Sequence, residues 1–142
     1  MKIILKQMKI FKKDIVVTEA HLDNLNHVNN VRYIQWIEDV IKDHWLAHAP
    51  QALRDAYFWV VLNHNVSYKN PALLGDIVKF RTEVLDIGAA TSNCLIEMYD
   101  GRTGRTFVVA KTRWCLLDSK TQKPRRITPE IEEVFTEAAF AY

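Results

Sequence analysis

Glycine and proline are scarce in this chain, four of each in 142 residues. No internal repeat, low-complexity tract or Pro/Gly-rich linker divides it. One domain spanning residues 1–142 is therefore expected, long enough to bury a sizeable core. Cysteine is scarcer still: Cys94 and Cys115 stand alone in strand-like surroundings, a pattern of packed, reduced thiols and not of a disulfide framework. Charge of one sign is also lacking, and a net charge of +2 leaves no electrostatic footprint for nucleic acid. No apolar stretch approaches the roughly 20 residues of a membrane span. The opening MKIILKQMKIF breaks its apolar run at Lys6 and Gln7, so no signal peptide is expected and the cytoplasm is the expected compartment. GxxxxGK[ST] and GxGxxG loops are absent, which leaves nucleotide hydrolysis and hydride transfer unsupported. What remains, 49% hydrophobic and 25% charged, is the balance of an ordinary globular protein.

The pattern of apolar residues then orders the chain. Residues 7–18 are strand-like. Over residues 30–48, Tyr33, Ile34, Ile37, Val40, Ile41 and Trp45 recur at spacings of three and four, which predicts a helix. Trp36 and Val31 fall off that stripe, and a helix so widely apolar is usually enclosed by the rest of its fold. Pro50 stops it. Strands follow over 57–69, 77–87, 91–99 and 105–117, with a hairpin signal at residues 100–104. Thr128-Pro129 is a helix start, and Ile131, Val134, Phe135 and Ala138 mark a short amphipathic helix. Hairpin-joined strands with one long helix predict an α+β fold in which an antiparallel sheet curls around that helix. The exposed edges of such a sheet predict self-association, a dimer at least.

The most informative stretch is LDNLNHVNNVRYIQWIED, residues 22–39. Asp23 is followed four positions on by His27, and Asn29 and Asn30 sit where the helical pattern begins. Asx residues are good N-caps, because their side chains accept hydrogen bonds from the first unpaired backbone N–H groups. A carboxylate and an imidazole are thus delivered by a short loop to the positive end of a helix, where an anion or a polarised carbonyl is welcome.

This motif, with the element order, resembles the hotdog-fold acyl thioesterases, the superfamily of 4-hydroxybenzoyl-CoA and acyl-carrier-protein thioesterases. The D-x-x-x-H-V-N-N-x-x-Y frame is present as Asp23, His27, Val28, Asn29, Asn30 and Tyr33, and VSYKNPALLGD resembles the strand-turn signature of the same family. The resemblance implies a hotdog fold, a five-stranded antiparallel sheet wrapped around a long central helix, with a short C-terminal helix. It implies hydrolysis of an acyl thioester, with acyl-CoA or an acyl carrier protein as partner, a homodimer or homotetramer, and no cofactor. Residue by residue, it makes Asp23 the base or nucleophile and the N–H near Asn30 the group that polarises the thioester carbonyl. His27 and Glu38 become supporting catalytic groups, while Asn29, Asn30 and Tyr33 contact substrate. There is one departure: where the carrier-protein branch has an asparagine two residues after the aspartate, this chain has Leu25.

The residues admit plainer readings as well. Asp23 can cap a turn, Asn29 and Asn30 can be caps alone, and Tyr33 and Trp36 can be core aromatics. Glu38 with Asp39 can form a solvated acidic face. His44 and His48 have a metal-ligand spacing, but no third ligand follows and no metal is expected. His64 reads as a satisfied, partly buried histidine. Lys120, Lys123, Arg125 and Arg126, with Lys69, are either solvated surface or the greeting for coenzyme A phosphates or an acidic carrier. A non-hydrolytic acyl-binding protein on the same fold is the alternative from another functional class.

Overall fold

Alternation of inward and outward side chains builds the main sheet. A computed structural model describes the backbone of residues 3–8 and 11–141 and the side chains of residues 13–136. The elements, in chain order, begin with β1 (Ile3–Met8), β2 (Phe11–Val16), a 3-10 turn (Glu19–His21), α1 (Asn30–His48) and α2 (Gln51–Ala56). They continue with β3 (Tyr57–Tyr68), β4 (Ile77–Ile87), β5 (Thr91–Asp100), β6 (Thr106–Asp118), α3 (Pro129–Glu132) and β7 (Thr136–Ala141). Five strands pair antiparallel in the order β2-β4-β5-β6-β3, and β1 pairs with β7 as a separate ribbon. Val78, Phe80, Thr82 and Val84 of β4 turn inward, as do Cys94, Ile96 and Met98 of β5 and Ala110, Thr112 and Trp114 of β6. The outward face carries Arg81, Lys111 and Arg113. This is the period of two that a one-sided sheet requires. Register shifts leave an extra residue in each of β3, β4 and β6, at Leu62, Leu85 and Phe107, and give the sheet the bulges that let it curl.

The inner side of the sheet holds α1. Its buried residues Tyr33, Trp36, Ile37, Val40, Ile41, His44 and Trp45 follow the helical period. Each large aliphatic side chain buried here contributes about 1.5–3 kcal/mol. Trp36, off the expected stripe, is nonetheless buried, wedged edge-on against His21, Tyr33 and Phe80. Val31 and Leu46 remain exposed, so within one chain the helix is covered on one side and not enclosed. The Cys94 thiol is buried and pushed up to about 12 by desolvation, as a packing residue should be.

The hotdog architecture expected from the sequence is present, with three differences of detail. The strand expected over 7–18 is two strands, β1 and β2, in different sheets; residues 9 and 10 between them lie outside the described residues. A short helix, α2, occupies residues 51–56, because Pro50 that ends α1 also suits the start of a new helix. The C-terminal helix is only four residues long, and Ala138 belongs to β7. Bonds from Val134 N–H to Ile131 O and from Phe135 N–H to Glu132 O tighten the last turn, and the Thr136 hydroxyl donates to Glu132 O. The apolar face of that helix pattern is instead satisfied by burying Ile131, Val134 and Phe135.

Candidate active site

The loop before α1 is a miniature hairpin. Leu22 and Val28 bridge antiparallel, and Asp23 N–H donates to His27 O at 2.8 Å. Asn26 N–H donates to Asp23 O at 3.1 Å, closing a tight turn, and Asn26 takes a left-handed φ of 59°. That conformation strains most side chains but suits asparagine. The Asp23 carboxylate locks the turn: its Oδ1 accepts from Leu25 N–H at 2.9 Å and His27 N–H at 3.2 Å. The turn-capping reading of Asp23 is therefore correct for one oxygen. Among the described residues its Oδ2 has no hydrogen-bond partner.

The hairpin is laid onto the segment that follows β3. Val28 N–H donates to Ala72 O at 3.0 Å, and His27 bridges Leu73. Tyr33, from the first turn of α1, accepts Ala72 N–H at its hydroxyl, 3.1 Å away. Burial raises the Tyr33 phenol above its ordinary range, so it stays neutral as a structural hydroxyl. The Asn29 side chain caps α1 by accepting from Val31 N–H at 3.0 Å, and Arg32 N–H closes onto Asn29 O. Asn30 N–H, the first of the helix, has no partner among the described residues. The His27 imidazole is in the same condition.

These groups line one cleft of about 420 Å³, walled by Asp23, Leu25, His27, Val28, Asn29, Asn30 and Tyr33 on the loop and helix side, and by Tyr68, Lys69, Asn70 and Pro71 opposite. The Tyr68 hydroxyl reaches Asn30 O at 3.4 Å and pins the two walls together. Five of the six residues singled out in the sequence thus converge. Glu38 does not join them. It lies eight residues beyond Asn30, about 12 Å along the helix, with its Oε1 3.9 Å from Nε2 of His64 on β3. His64 is satisfied in turn by the fully buried Thr112 hydroxyl at 2.8 Å. His44, at metal-ligand spacing from His48, has its Nε2 3.0 Å from Val134 O and stacks on Phe135.

The far wall was less visible in the sequence. Asn70, which donates to Thr106 O at 2.8 Å and accepts from Arg105, enters the cleft only through the pairing of β3 with β6. Leu25, noted only as a departure, is an apolar cleft residue and 69% exposed. Chemically, the cleft offers an open carboxylate oxygen, an imidazole, and an unpaired N–H at a helix N-terminus.

Comparison with known proteins bears on the fold and the family. The profile of the thioesterase-like superfamily matches residues 16–135. The long-chain acyl-CoA thioesterase FadM of Escherichia coli (strain K12) is 27% identical over 127 residues, covering 84% of this chain and 92% of that protein. The crystal structure of YbaW, a probable thioesterase from Escherichia coli, superposes with a TM-score of 0.76 at 24% identity, covering 87% and 95% of the two chains. The DHNA-CoA thioesterase of Staphylococcus aureus superposes with a TM-score of 0.76 at 20% identity, covering 88% and 87%. The last two establish the fold, and the profile, spanning most of the chain, establishes the family: this chain belongs to the thioesterase-like superfamily.

Proposed function

We propose that Asp23 and the Asn30 N–H carry out the hydrolysis of an acyl-CoA thioester in this cleft. The reaction class is that of the family: the chain is a thioester hydrolase acting on acyl-CoA. A long acyl chain is the substrate class we assign, following the long-chain acyl-CoA thioesterase FadM, with which this chain is 27% identical over 127 residues. The single observation that carries the site is the convergence, in one cleft, of a carboxylate oxygen and a helix-start N–H that are both unpartnered among the described residues.

In this reading Asp23 Oδ2 takes a proton from water as the water oxygen attacks the thioester carbon, or attacks that carbon itself to form a mixed anhydride, which water then hydrolyses to the free acid and the Asp23 carboxylate. The carbonyl oxygen becomes an oxyanion and is held by Asn30 N–H, a donor of a kind whose loss typically costs about 3–4 kcal/mol. Collapse breaks the C–S bond, and coenzyme A leaves as a thiolate that needs no strong general acid. His27 supports the attacking group, while Tyr33 and the Asn29 cap hold the two walls in register. Lys69, on the far wall, suits an anionic portion of the substrate. The released acid makes this a step of lipid metabolism, and the cytoplasm is the compartment the reading implies.

Glu38 lies beside His64 of β3, a terminal strand of the sheet, so its role belongs to an assembly. As an edge, β3 exposes Phe58, Leu62 and Tyr68. Long apolar edge strands are ordinarily covered. Two copies pairing β3 antiparallel about its middle would form a dimer, with residues 57–60 of one copy beside residues 65–68 of the other. Each cleft then lies at the interface.

Asp23→Asn tests the assignment cleanly, because asparagine keeps the Oδ1 acceptor that locks the turn. Thiol release from long-chain acyl-CoA should fall by about 100-fold or more with the melting temperature preserved. Full activity in this variant would sink the assignment. Tight acyl-CoA retention without turnover in the unaltered protein would mark a binding protein instead.

A further inference from the structure

The turn between β2 and the active-site hairpin is built around an imidazole. Thr18 heads the 3-10 turn Glu19–His21, and its backbone N–H donates to Nδ1 of His21 at 3.0 Å. The Thr18 hydroxyl lies 3.4 Å from the same nitrogen. His21 thus stands at the third position of a capping box, where a glutamate or glutamine ordinarily supplies the acceptor. A histidine can fill that place only with Nδ1 unprotonated, so the ring is neutral and carries its proton on Nε2. Edge-on contact with Trp36 of α1, 5.1 Å between ring centroids, holds the ring in this orientation.

This turn is a strut between anchored backbone and the hairpin. Behind it, Val17 N–H donates to Asp76 O at 2.9 Å and Gly75 N–H to Val17 O at 3.0 Å, so Thr18 starts from a fixed point. Ahead of it, His21 O accepts Asn29 N–H at 2.9 Å, and Leu22 bridges Val28. Asp23 is two residues from His21, and Asn30 is next to Asn29, so both groups assigned to the reaction hang from this turn. Charged groups around the ring are few. Arg32 of α1 lines the same concavity as His21, and Glu19 of the turn itself is exposed. The Asp23 carboxylate is engaged by Leu25 and His27 N–H, and that of Asp76 by Leu73 N–H. From β4 comes the apolar Phe80, packed against Trp36.

We propose that His21 is a positioning residue for the hydrolysis: its neutral imidazole, by holding Thr18 N–H, sets the hairpin that presents Asp23 and the cap beside Asn30 N–H, and its protonation releases both. The inference rests on the thioesterase reading of the cleft and deepens it by giving that site a pH control. An imidazolium has no acceptor, so a second proton turns the Thr18 contact from a hydrogen bond into two donors facing each other. Desolvation, with the Arg32 guanidinium, lowers the ring below its ordinary value of 6.5. The bond is therefore intact at neutral pH and is lost as pH falls through the folded value.

The experiment compares the full-length protein with His21→Gln and His21→Ala, measuring kcat/KM for long-chain acyl-CoA from about pH 7.5 to about pH 5, across the histidine range. Glutamine keeps an acceptor at this position and does not titrate. The unaltered protein should match His21→Gln at neutral pH and fall to about one-tenth of it in acid, with the midpoint at the His21 pKa read by NMR. His21→Ala should be about tenfold low at every pH, with its loss rescued in His21→Gln. His27 and Asp23 titrate alike in all three proteins, so their effects cancel in the ratios. In the unaltered protein, the Thr18, Asp23 and Asn29 amide resonances should shift with the same midpoint, which keeps the test decisive if a variant fails to fold. Parallel profiles for the unaltered protein and His21→Gln would overturn the proposal. So would His21→Ala with a lower melting temperature and unchanged kcat/KM, or Asp23 and Asn29 amides that ignore the His21 titration. Absence of hydrolysis in the unaltered protein at every pH would instead remove the thioesterase reading, and the amide titration would still decide the strut.

Discussion

Asn26 is the residue on which the loop geometry turns. Its φ of 59° is the left-handed step that lets a three-residue tip close between Asp23 and His27. Asparagine tolerates that region, alanine pays for it in strain, and glycine enters it freely. Asn26→Ala should therefore destabilise the fold by about 1 kcal/mol in a urea titration, and Asn26→Gly should be close to neutral. Both variants leave the Asp23 carboxylate in place. A loss of activity larger in the alanine than in the glycine variant would trace catalysis to the angle at which the hairpin presents Asp23. Equal stability of the two would mean that the turn is not held in this conformation in solution.

At the scale of elements, α1 joins the site to the core. Its first turn is capped by Asn29 and its inner face packs through Ile37, Val40 and Ile41, so the position of Asn30 N–H is inherited from the whole helix. Asn29→Ala removes the acceptor for Val31 N–H and should cost about 0.5–2 kcal/mol in chemical denaturation. Asn29→Asp keeps an acceptor and adds a charge favourable at a helix N-terminus, so it should recover that loss. Failure of Asp to recover it would assign Asn29 a role other than capping.

The same element shows how far the sequence could be read. The span of α1, its cap and its stop were legible, because Asn29, the apolar period and Pro50 are local signals. The strand pattern was legible for the same reason. The far wall of the cleft was not, since Asn70 and Arg105 meet only when β3 pairs with β6, and no local period encodes that register. The short C-terminal helix was legible at its start, Thr128-Pro129, but not at its end, because its apolar residues fit a helix face and a turn before a strand equally well until Thr136 bonds back to Glu132. Glu38 was placed by family likeness, and its partner His64 comes from a strand that the sequence could not set beside it.

For the whole molecule, the decisive feature is the sheet edge. Strand β3 is twelve residues long, lies at the end of the strand order, and leaves Leu62 53% exposed at its middle. Neither proline nor a lysine or arginine interrupts it between Tyr57 and Tyr68, so the residue types that usually blunt an edge are lacking and only the bulge at Leu62 breaks its pairing pattern. An edge without such protection is satisfied by a second copy related by a two-fold axis, and Leu62 would then lie close to that axis. Leu62→Lys would place two ammonium groups near each other across the axis and bury them without partners. The unaltered protein should sediment as a dimer or a dimer of dimers, and Leu62→Lys as a monomer with its strand content intact by circular dichroism. If the cleft of one copy is completed by residues 57–60 of the other, the monomer should also lose most of its activity towards long-chain acyl-CoA. It should keep more towards short chains, which do not reach the other copy. An unaltered protein that sediments as a fully active monomer would refute the shared site, and would require the acyl chain to run between α1 and β3 of a single protomer, past Glu38 and His64.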